Sequence, residues 1–128
     1  MRLLLDTHVL LWWFDDDRRL KRAHDLIADP ANAVSVSIVS LWEIAIKSRL
    51  GKLKADVATT ERQRLHDGFD LLDVRVGHIA ALTALPDHHR DPFDHLLIAQ
   101  AQVEGLIFVT ADRNAARYPI ETIVCADQ

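Results

Sequence analysis

The sequence predicts an α/β fold, in the form of a three-layer α/β/α sandwich with a central, mostly parallel sheet. Short apolar runs alternate along the chain with longer stretches of helical periodicity. The runs are apolar throughout, as in strands that are covered on both faces. With 128 residues, the chain is long enough for one domain with its own core, so we expect a single domain over residues 1–128.

The first half of the chain contains two predicted strands, each followed by helix. "RLLLD" (2–6) predicts a short buried strand, and a helical stretch follows it. Residues 18–29 repeat apolar groups at helical spacing and stop before a proline. "NAVSVS" (32–37) predicts the second strand, and residues 38–53 predict a helix that Gly51 closes.

The second half of the chain alternates in the same way. Residues 56–67 predict a polar helix, "FDLLDV" (69–74) a short strand, and residues 77–85 a small helix that stops before a proline. "DPFDHLLIAQAQVEG" (91–105) predicts the next helix. The last two predicted elements are apolar strands at 106–110 and 121–126.

Composition and charge narrow the class of protein. Hydrophobic residues make up 49% of the chain and charged residues 27%, as in soluble globular domains. The formal net charge is −4, so basic groups are available only locally, as in "KSRLGKLK". The single cysteine, Cys125, cannot form an internal disulfide, and no apolar stretch is long enough for a membrane span. We therefore expect a cytoplasmic protein that does not associate with membranes.

Two aspartates lie at the ends of predicted strands. Asp6 follows the apolar run of the first strand, and Asp112 follows "LIFVT". Taken singly, each has an alternative role in a turn or a helix cap. Because ligands of parallel α/β sheets bind beyond the carboxyl ends of the strands, we expect these side chains to converge.

Glu43 lies in a predicted helix that is apolar on almost every side, which indicates that this helix is buried. The polar positions of its central part are Ser40, Glu43 and Lys47, and their spacing aligns them on one stripe. Such a stripe must face solvent, as an ordinary Glu43–Lys47 ion pair, or else face a site.

The "DPFD" segment combines a helix start with a second carboxylate. A residue before proline avoids the helical conformation, and proline is favoured at the first helical position, so Asp91 is predicted to cap the helix and Pro92 to begin it. Capping explains Asp91. Asp94 instead shares the inward, apolar stripe of the helix, a direction that capping does not require.

Convergence would bring four carboxylates together, those of Asp6, Glu43, Asp94 and Asp112. Neighbouring like charges raise each other's pKa, so such a cluster must take up protons or bind a cation. Oxygen ligands alone favour Mg²⁺ or Mn²⁺ over Zn²⁺ or Cu²⁺. The chemistry that such a site supports is phosphodiester hydrolysis with one or two ions.

Four motifs in order, "LLLDTHVLLWW", "SLWEIAIK", "HRDPFDHLLIAQA" and "LIFVTAD", resemble those of the PIN-domain family, specifically the VapC-like toxins of toxin–antitoxin pairs. The resemblance covers nearly the whole chain. It implies a Mg²⁺- or Mn²⁺-dependent endoribonuclease, usually a homodimer, whose cognate antitoxin inserts a segment, often with an arginine, into the acidic site.

The same resemblance implies that the catalytic and metal-binding acids are Asp6, Glu43, Asp94 and Asp112. Since the fourth acidic position is the loosest in this family, Asp91 stays open as a replacement or supplement for Asp94 or Asp112. The predicted RNA contacts are basic residues near these acids: Lys47, Arg49, Arg90 and Arg113. The RNA target, whether tRNA, rRNA or mRNA, is not predicted.

Three other functions are alternatives to a nuclease for a chain of this length and predicted fold. A haloacid-dehalogenase-like phosphatase needs a second acid two residues after the first, where this chain has His8. A phosphorelay receiver domain needs a late lysine, whereas Lys54 is the last lysine here. A catalytically inactive PIN-fold binding module stays open. Zinc is disfavoured because His88 and His89 are adjacent and lack further ligands at metal-binding spacing.

Overall fold

Five short strands pair into one central sheet in this computed structural model, which describes residues 1–87 and 91–125. The strands are β1 (Arg2–Leu5), β2 (Ala33–Ser37), β3 (Asp70–Leu72), β4 (Ile107–Thr110) and β5 (Thr122–Val124). Their order across the sheet is β3-β2-β1-β4-β5, and all four pairings are parallel. The predicted central parallel sheet is confirmed.

The direction in which the chain adds strands reverses between β1 and β4. From β1 the chain extends the sheet through β2 to β3, and it then returns to the other side of β1 to add β4 and β5. Leu4 in the central strand pairs with Ser35 on one side and with Phe108 on the other. A crevice opens at such a reversal, beyond the carboxyl ends of the strands, and this is where parallel sheets bind ligands.

Within the described residues, six α-helices connect or follow the strands. They are α1 (Thr7–Phe14), α2 (Arg22–Ala28), α3 (Ile38–Arg49), α4 (Val57–Asp67), α5 (Val76–Leu82) and α6 (Pro92–Glu104). Two short 3-10 turns lie at Arg18–Leu20 and Arg113–Arg117. None of the helices in residues 1–87 and 91–125 is long and apolar enough to cross a membrane.

The sheet separates two hydrophobic cores. Alternate residues of a strand point to opposite faces, so Leu3 and Leu5 pack with α1 and α2, whereas Leu4 packs with α3 and α6. All three leucines are fully buried. Helices therefore cover both faces of the sheet, and the predicted α/β/α sandwich is confirmed.

Three predicted helices differ from those observed. The helix predicted over 77–85 is observed over Val76–Leu82. The helix predicted over 18–29 is divided at Lys21, whose φ of 51° lies outside the right-handed helical region, so a 3-10 turn precedes α2. The helix predicted over 38–53 ends at Arg49, and Gly51 follows with a φ of 74°, the conformation in which glycine closes helices. Most strand boundaries also lie one or two residues inside the predicted ones.

Candidate functional site

Asp6 lies immediately after β1 and caps α1. Its Oδ1 accepts a hydrogen bond from the backbone N–H of Val9 at 2.8 Å, and its Oδ2 accepts from the hydroxyl of Thr110 and, at 3.4 Å, from the N–H of Ala111. The residue is 4% exposed, and burial raises the pKa of its carboxyl although these hydrogen bonds oppose the shift. Asp6 is thus a buried carboxylate in a fixed orientation between β1 and β4.

Thr110, the last residue of β4, connects Asp6 with Asp112. Its Oγ1 donates to Asp6 and accepts from the backbone N–H of Asp112 at 3.1 Å. The Asp112 side chain caps the following 3-10 turn by accepting from the N–H of Asn114 at 2.9 Å. The predicted positions of both acids at strand ends are confirmed, whereas the bridging role of Thr110 was not predicted.

Glu43 is the acid in the middle of α3, and it is 1% exposed. Its Oε2 accepts a hydrogen bond from Nζ of Lys47. Among the buried side-chain nitrogen and oxygen atoms of the described residues, Glu43 Oε1 is the one without a hydrogen-bond partner. A buried unpaired oxygen costs about 1–3 kcal/mol, and more when it is charged, so it points to a role other than stability.

The polar stripe of α3 faces the interior of the protein. Ser40 is fully buried and its Oγ accepts from the hydroxyl of Thr7 at 3.0 Å, whereas Trp42 on another side of the helix is 52% exposed. The expectation of a helix buried by its apolar residues on every side was therefore wrong. Trp42 instead packs edge-on against Phe93, with ring centroids 4.8 Å apart.

Asp94 lies in the first turn of α6. Asp91 caps this helix through its Oδ1, which accepts from the N–H groups of Phe93 and Asp94 at 2.9 and 3.2 Å, and Pro92 begins it, so the predicted helix start is confirmed. The pKa of Asp94 is raised to about 8, first by burial and then by the negative charges of Asp6, Asp91, Glu43 and Asp112. The predicted acids therefore act on one another within a single region.

Lys47 places a positive charge in this acidic region. Its Nζ donates to Glu43 and lies 5.9 Å from the ring centroid of Phe93. Burial alone would lower the pKa of Lys47, but the hydrogen bond to Glu43 and the charges of Glu43, Asp91 and Asp94 outweigh burial and raise it. The predicted RNA contact of this residue stays a prediction, and in this structure its amine is bound to Glu43.

The other predicted RNA contacts are exposed or lie outside the described residues. Arg49 is exposed at the end of α3, and Arg113 is exposed next to Asp112. Arg90 falls outside the described residues, as do His88 and His89.

The site suits a divalent cation in its chemistry but is not a preformed coordination shell. Within residues 1–87 and 91–125, no group of three or more His, Cys, Asp or Glu side chains is placed closely enough to hold a metal ion. The unpartnered Oε1 of Glu43 and the raised pKa values of Asp6 and Asp94 nevertheless fit a hard cation with oxygen ligands. The assignment of these acids as metal ligands stays a prediction.

A cavity of about 420 Å³ lies between α1 and the segment that leads into α4. His8, which lines it, also lowers the pKa of Asp6, so the cavity adjoins the acidic site. Trp12 lines the same cavity and has the guanidinium of Arg19 4.5 Å from its ring centroid. Trp12 and Trp42 thus each pack against a neighbouring side chain, Arg19 and Phe93 respectively.

A second buried polar cluster lies further along α6 and was not predicted. Gln100 is fully buried. Its Oε1 accepts from the hydroxyl of Ser37, and its Nε2 lies 3.1 Å from the carbonyl oxygen of Asp73 and 3.3 Å from Nδ1 of His78. His78 Nδ1 also accepts from a backbone N–H, so His78 Nε2 carries the proton that it donates to Glu104 at 2.9 Å.

Comparisons with known proteins identify the family of this chain. The sequence matches the PIN domain over residues 3–121. It is 28% identical over 113 residues to Ribonuclease VapC22 of Mycobacterium tuberculosis, with 87% of each chain covered. The fold resembles VapBC2 from Rickettsia felis bound to a DNA fragment from its promoter, with a TM-score of 0.73, 16% identity and 97% and 98% of the two chains covered.

A toxin–antitoxin complex from Klebsiella pneumoniae is similar in fold as well, with a TM-score of 0.66, 19% identity and 96% and 97% of the two chains covered. At these sequence identities, similarity to the solved structures shows the fold alone. The domain match extends from β1 almost to the start of β5 and includes all four predicted acids. The chain belongs to the PIN-domain family.

Proposed function

We propose that this protein is a metal-dependent endoribonuclease that hydrolyses RNA phosphodiester bonds and acts in the cytoplasm as the toxin of a type II toxin–antitoxin pair. The observation that carries the proposal is the action of four carboxylates on the partly buried Asp94. Similarity to Ribonuclease VapC22 supports RNA as the substrate, and similarity to a toxin–antitoxin complex supports an antitoxin as the partner. We further propose that residues 1–128 form one nuclease domain.

Mg²⁺ or Mn²⁺ would be held by Asp6, Glu43, Asp94 and Asp112. When bound, the ion supplies Lewis-acid activation of water and of the scissile phosphate. Asp91 has a different role in this proposal, because its Oδ1 already accepts two backbone N–H groups. We assign Asp91 to capping α6 and to adding negative charge beside Asp94.

The surrounding residues hold these acids in place. Thr110 donates to Asp6 and accepts from the backbone of Asp112, so one hydroxyl fixes both strand ends. Asp6 and Asp91 cap α1 and α6, and the partial positive charge of a helix N-terminus stabilises a carboxylate placed there. The fold therefore orients the acids before any substrate binds.

The proposed partners are RNA, a cognate antitoxin and a second copy of the chain. Several large apolar side chains are exposed, including Trp42 at 52%, Val76 at 83% and Ile79 at 52%. Val76 and Ile79 lie three residues apart on α5 and so share one side of that helix, and exposed apolar groups that form a patch mark protein interfaces. They support the expected antitoxin contact and homodimer, which size-exclusion chromatography with light scattering would measure.

Cleavage of RNA by the purified protein tests the proposed activity. We expect cleavage with Mn²⁺ present and none with excess chelator. Asp6→Asn and Asp94→Asn should each lower the cleavage rate at least about 100-fold, since even supporting residues of metal sites commonly contribute 10–100-fold. Asp25→Asn, which changes an exposed aspartate on α2, should leave the rate unchanged.

Two outcomes would contradict the proposed activity. If Asp6→Asn and Asp94→Asn cut as fast as the parent protein, the catalytic assignment is wrong. If the parent protein binds RNA or an antitoxin but cleaves no RNA with Mn²⁺ present, the chain is an inactive binding module.

A further inference from the structure

Lys47 and Glu43 form an ion pair whose two members differ in exposure. The side chain of Glu43 is 1% exposed and that of Lys47 is 30% exposed. They lie four residues apart on α3, so the helix itself brings the amine to the carboxylate. The buried member is fixed, while the partly exposed member has a long stem and open solvent on one side.

The Lys47 amine also lies close to parts of the site other than Glu43. It lies 5.9 Å from the ring centroid of Phe93, in the first turn of α6, and the charges of Asp91 and Asp94 in the same turn act on it. Lys47 thus bridges the two helices that contribute Glu43 and Asp94. Its positive charge offsets the repulsion among the carboxylates.

The two carboxylate oxygens of Glu43 have different surroundings. Oε2 accepts from Lys47, whereas Oε1 is buried and has no hydrogen-bond partner within residues 1–87 and 91–125. A divalent ion at Glu43 would bring two more positive charges next to the ammonium, and like charges at this range repel strongly where water is excluded. The hydrogen bond from Lys47 to Glu43 and the binding of a divalent ion to Glu43 therefore weaken each other.

We propose that Lys47 is an internal counter-cation, which neutralises Glu43 when no divalent ion is bound and is displaced towards solvent when an ion binds. The inference rests on the divalent-ion site of the proposed function and adds a residue that limits affinity for the ion. Without metal, the acids can then stay close together, because the Lys47 ammonium supplies the positive charge that reduces their repulsion.

The test compares Mn²⁺ binding by the parent protein and by Lys47→Met, measured by isothermal titration calorimetry and by the metal-induced rise in Tm. We expect Lys47→Met to have a lower Tm without metal, to bind Mn²⁺ about tenfold more tightly, and to show a larger rise in Tm. Lys52→Met, which removes an exposed lysine beyond α3, should match the parent protein.

Further variants complete the test. Lys47→Gln keeps a hydrogen-bond donor for Glu43 without the charge, so it should fold even where Lys47→Met does not and should also bind Mn²⁺ more tightly. In a Glu43→Gln background, Lys47→Gln should bring no gain in Mn²⁺ affinity over Glu43→Gln alone, since the carboxylate for which Lys47 and the ion compete is absent.

Equal or weaker Mn²⁺ binding by both Lys47 variants would overturn the counter-cation role while leaving the proposed nuclease intact, provided that the parent protein binds Mn²⁺ and cleaves RNA. Absence of Mn²⁺ binding in the parent protein and in both variants would overturn the proposed metal-dependent function together with this inference.

Discussion

The two ends of α6 carry buried polar clusters of opposite character. At its start, the pKa of Asp94 is raised to about 8 by burial and by surrounding carboxylates. In the same region, Glu43 Oε1 has no hydrogen-bond partner in the part of the chain that the structure describes. At its end, the pKa of Glu104 is lowered by the hydrogen bond from His78. Gln100 in the same cluster uses both its amide oxygen and its amide nitrogen.

This difference distinguishes a polar cluster whose hydrogen bonds stabilise the fold from one that contains a buried oxygen without a partner among the described residues. A buried network in which each member has partners makes the packing of α3, α5 and α6 specific. A buried carboxylate left half-paired lowers stability, so its presence requires another explanation. The contrast supports a structural role for the Gln100 cluster and the proposed metal-binding role for the acids around Asp94.

The largest expected effect on stability is that of Gln100→Leu. This change removes the partners of Ser37 and of the Asp73 carbonyl in the interior, and each unpaired buried group costs about 1–3 kcal/mol. We expect the free energy of unfolding to fall by about 2–4 kcal/mol in urea titrations. Gln102→Leu, the same substitution at an exposed position of α6, is the control. Similar losses for both variants would contradict a structural role of the cluster.

Thr110→Val should affect catalysis more than folding. The substitution keeps the shape of the side chain but removes the hydroxyl that joins Asp6 to the backbone of Asp112. We expect the RNA cleavage rate to fall about 10–100-fold, as for residues that orient metal ligands, with a loss of about 1 kcal/mol in stability. Thr83→Val, at an exposed threonine, serves as the control. An unchanged rate would show that Thr110 is not needed to orient the acids.

The stability of the metal-free protein should depend on Asp94. Because the pKa of this carboxyl is raised from 3.8 to about 8, the folded state keeps a proton between these values that the unfolded state has released. Asp94 therefore makes stability fall as pH rises across that window, and the fall is complete above about pH 8. We expect Asp94→Asn to have the higher Tm at pH 8 by at least a few degrees, and the difference should shrink as the pH falls towards 4.

The effect of Mn²⁺ on the Tm also tests the pKa of Asp94, because the ion and the proton compete for the same carboxylate. In calorimetric scans, Mn²⁺ should raise the Tm of the parent protein more at pH 8 than at pH 6, and should have little effect on Asp94→Asn. A pH profile that is identical in the parent protein and in Asp94→Asn would contradict the strongly raised pKa of Asp94.

The smallest expected effect concerns the exposed charges outside the buried clusters. If Arg49 contacts RNA phosphate, Arg49→Gln should weaken RNA binding at low salt and reduce the slope of log K against log salt by about 0.7. Fluorescence anisotropy with a labelled RNA in the presence of chelator, which prevents cleavage, measures this slope. An unchanged slope would remove Arg49 from the RNA interface.

Features that depend on neighbouring residues in the chain were predictable from the sequence. The start of α6 is an example, because the capping by Asp91 and the preference of Pro92 for the first helical position follow from local rules. The placement of Asp6 and Asp112 at neighbouring strand ends was predictable from topology, since both follow strands that pair in parallel. Neither prediction needed knowledge of how side chains pack.

Features that depend on distant side chains were not predictable. The spacing of Ser40, Glu43 and Lys47 showed that they share a stripe, but it could not show that this stripe packs inward while Trp42 is half-exposed. The Gln100 cluster joins residues as far as 63 positions apart, so no local pattern marks it. The break at Lys21 likewise has no signal in the surrounding sequence.

Three aspartates of the acidic region, Asp6, Asp91 and Asp112, also begin helical turns through their side chains. Asparagine caps helices about as well as aspartate. If the proposed function is correct, a change from aspartate to asparagine at Asp6 should therefore silence the nuclease while preserving its outer surface. Such a silent copy would still compete with the active protein for any inhibitor that recognises that surface, and would in that way release active molecules from inhibition.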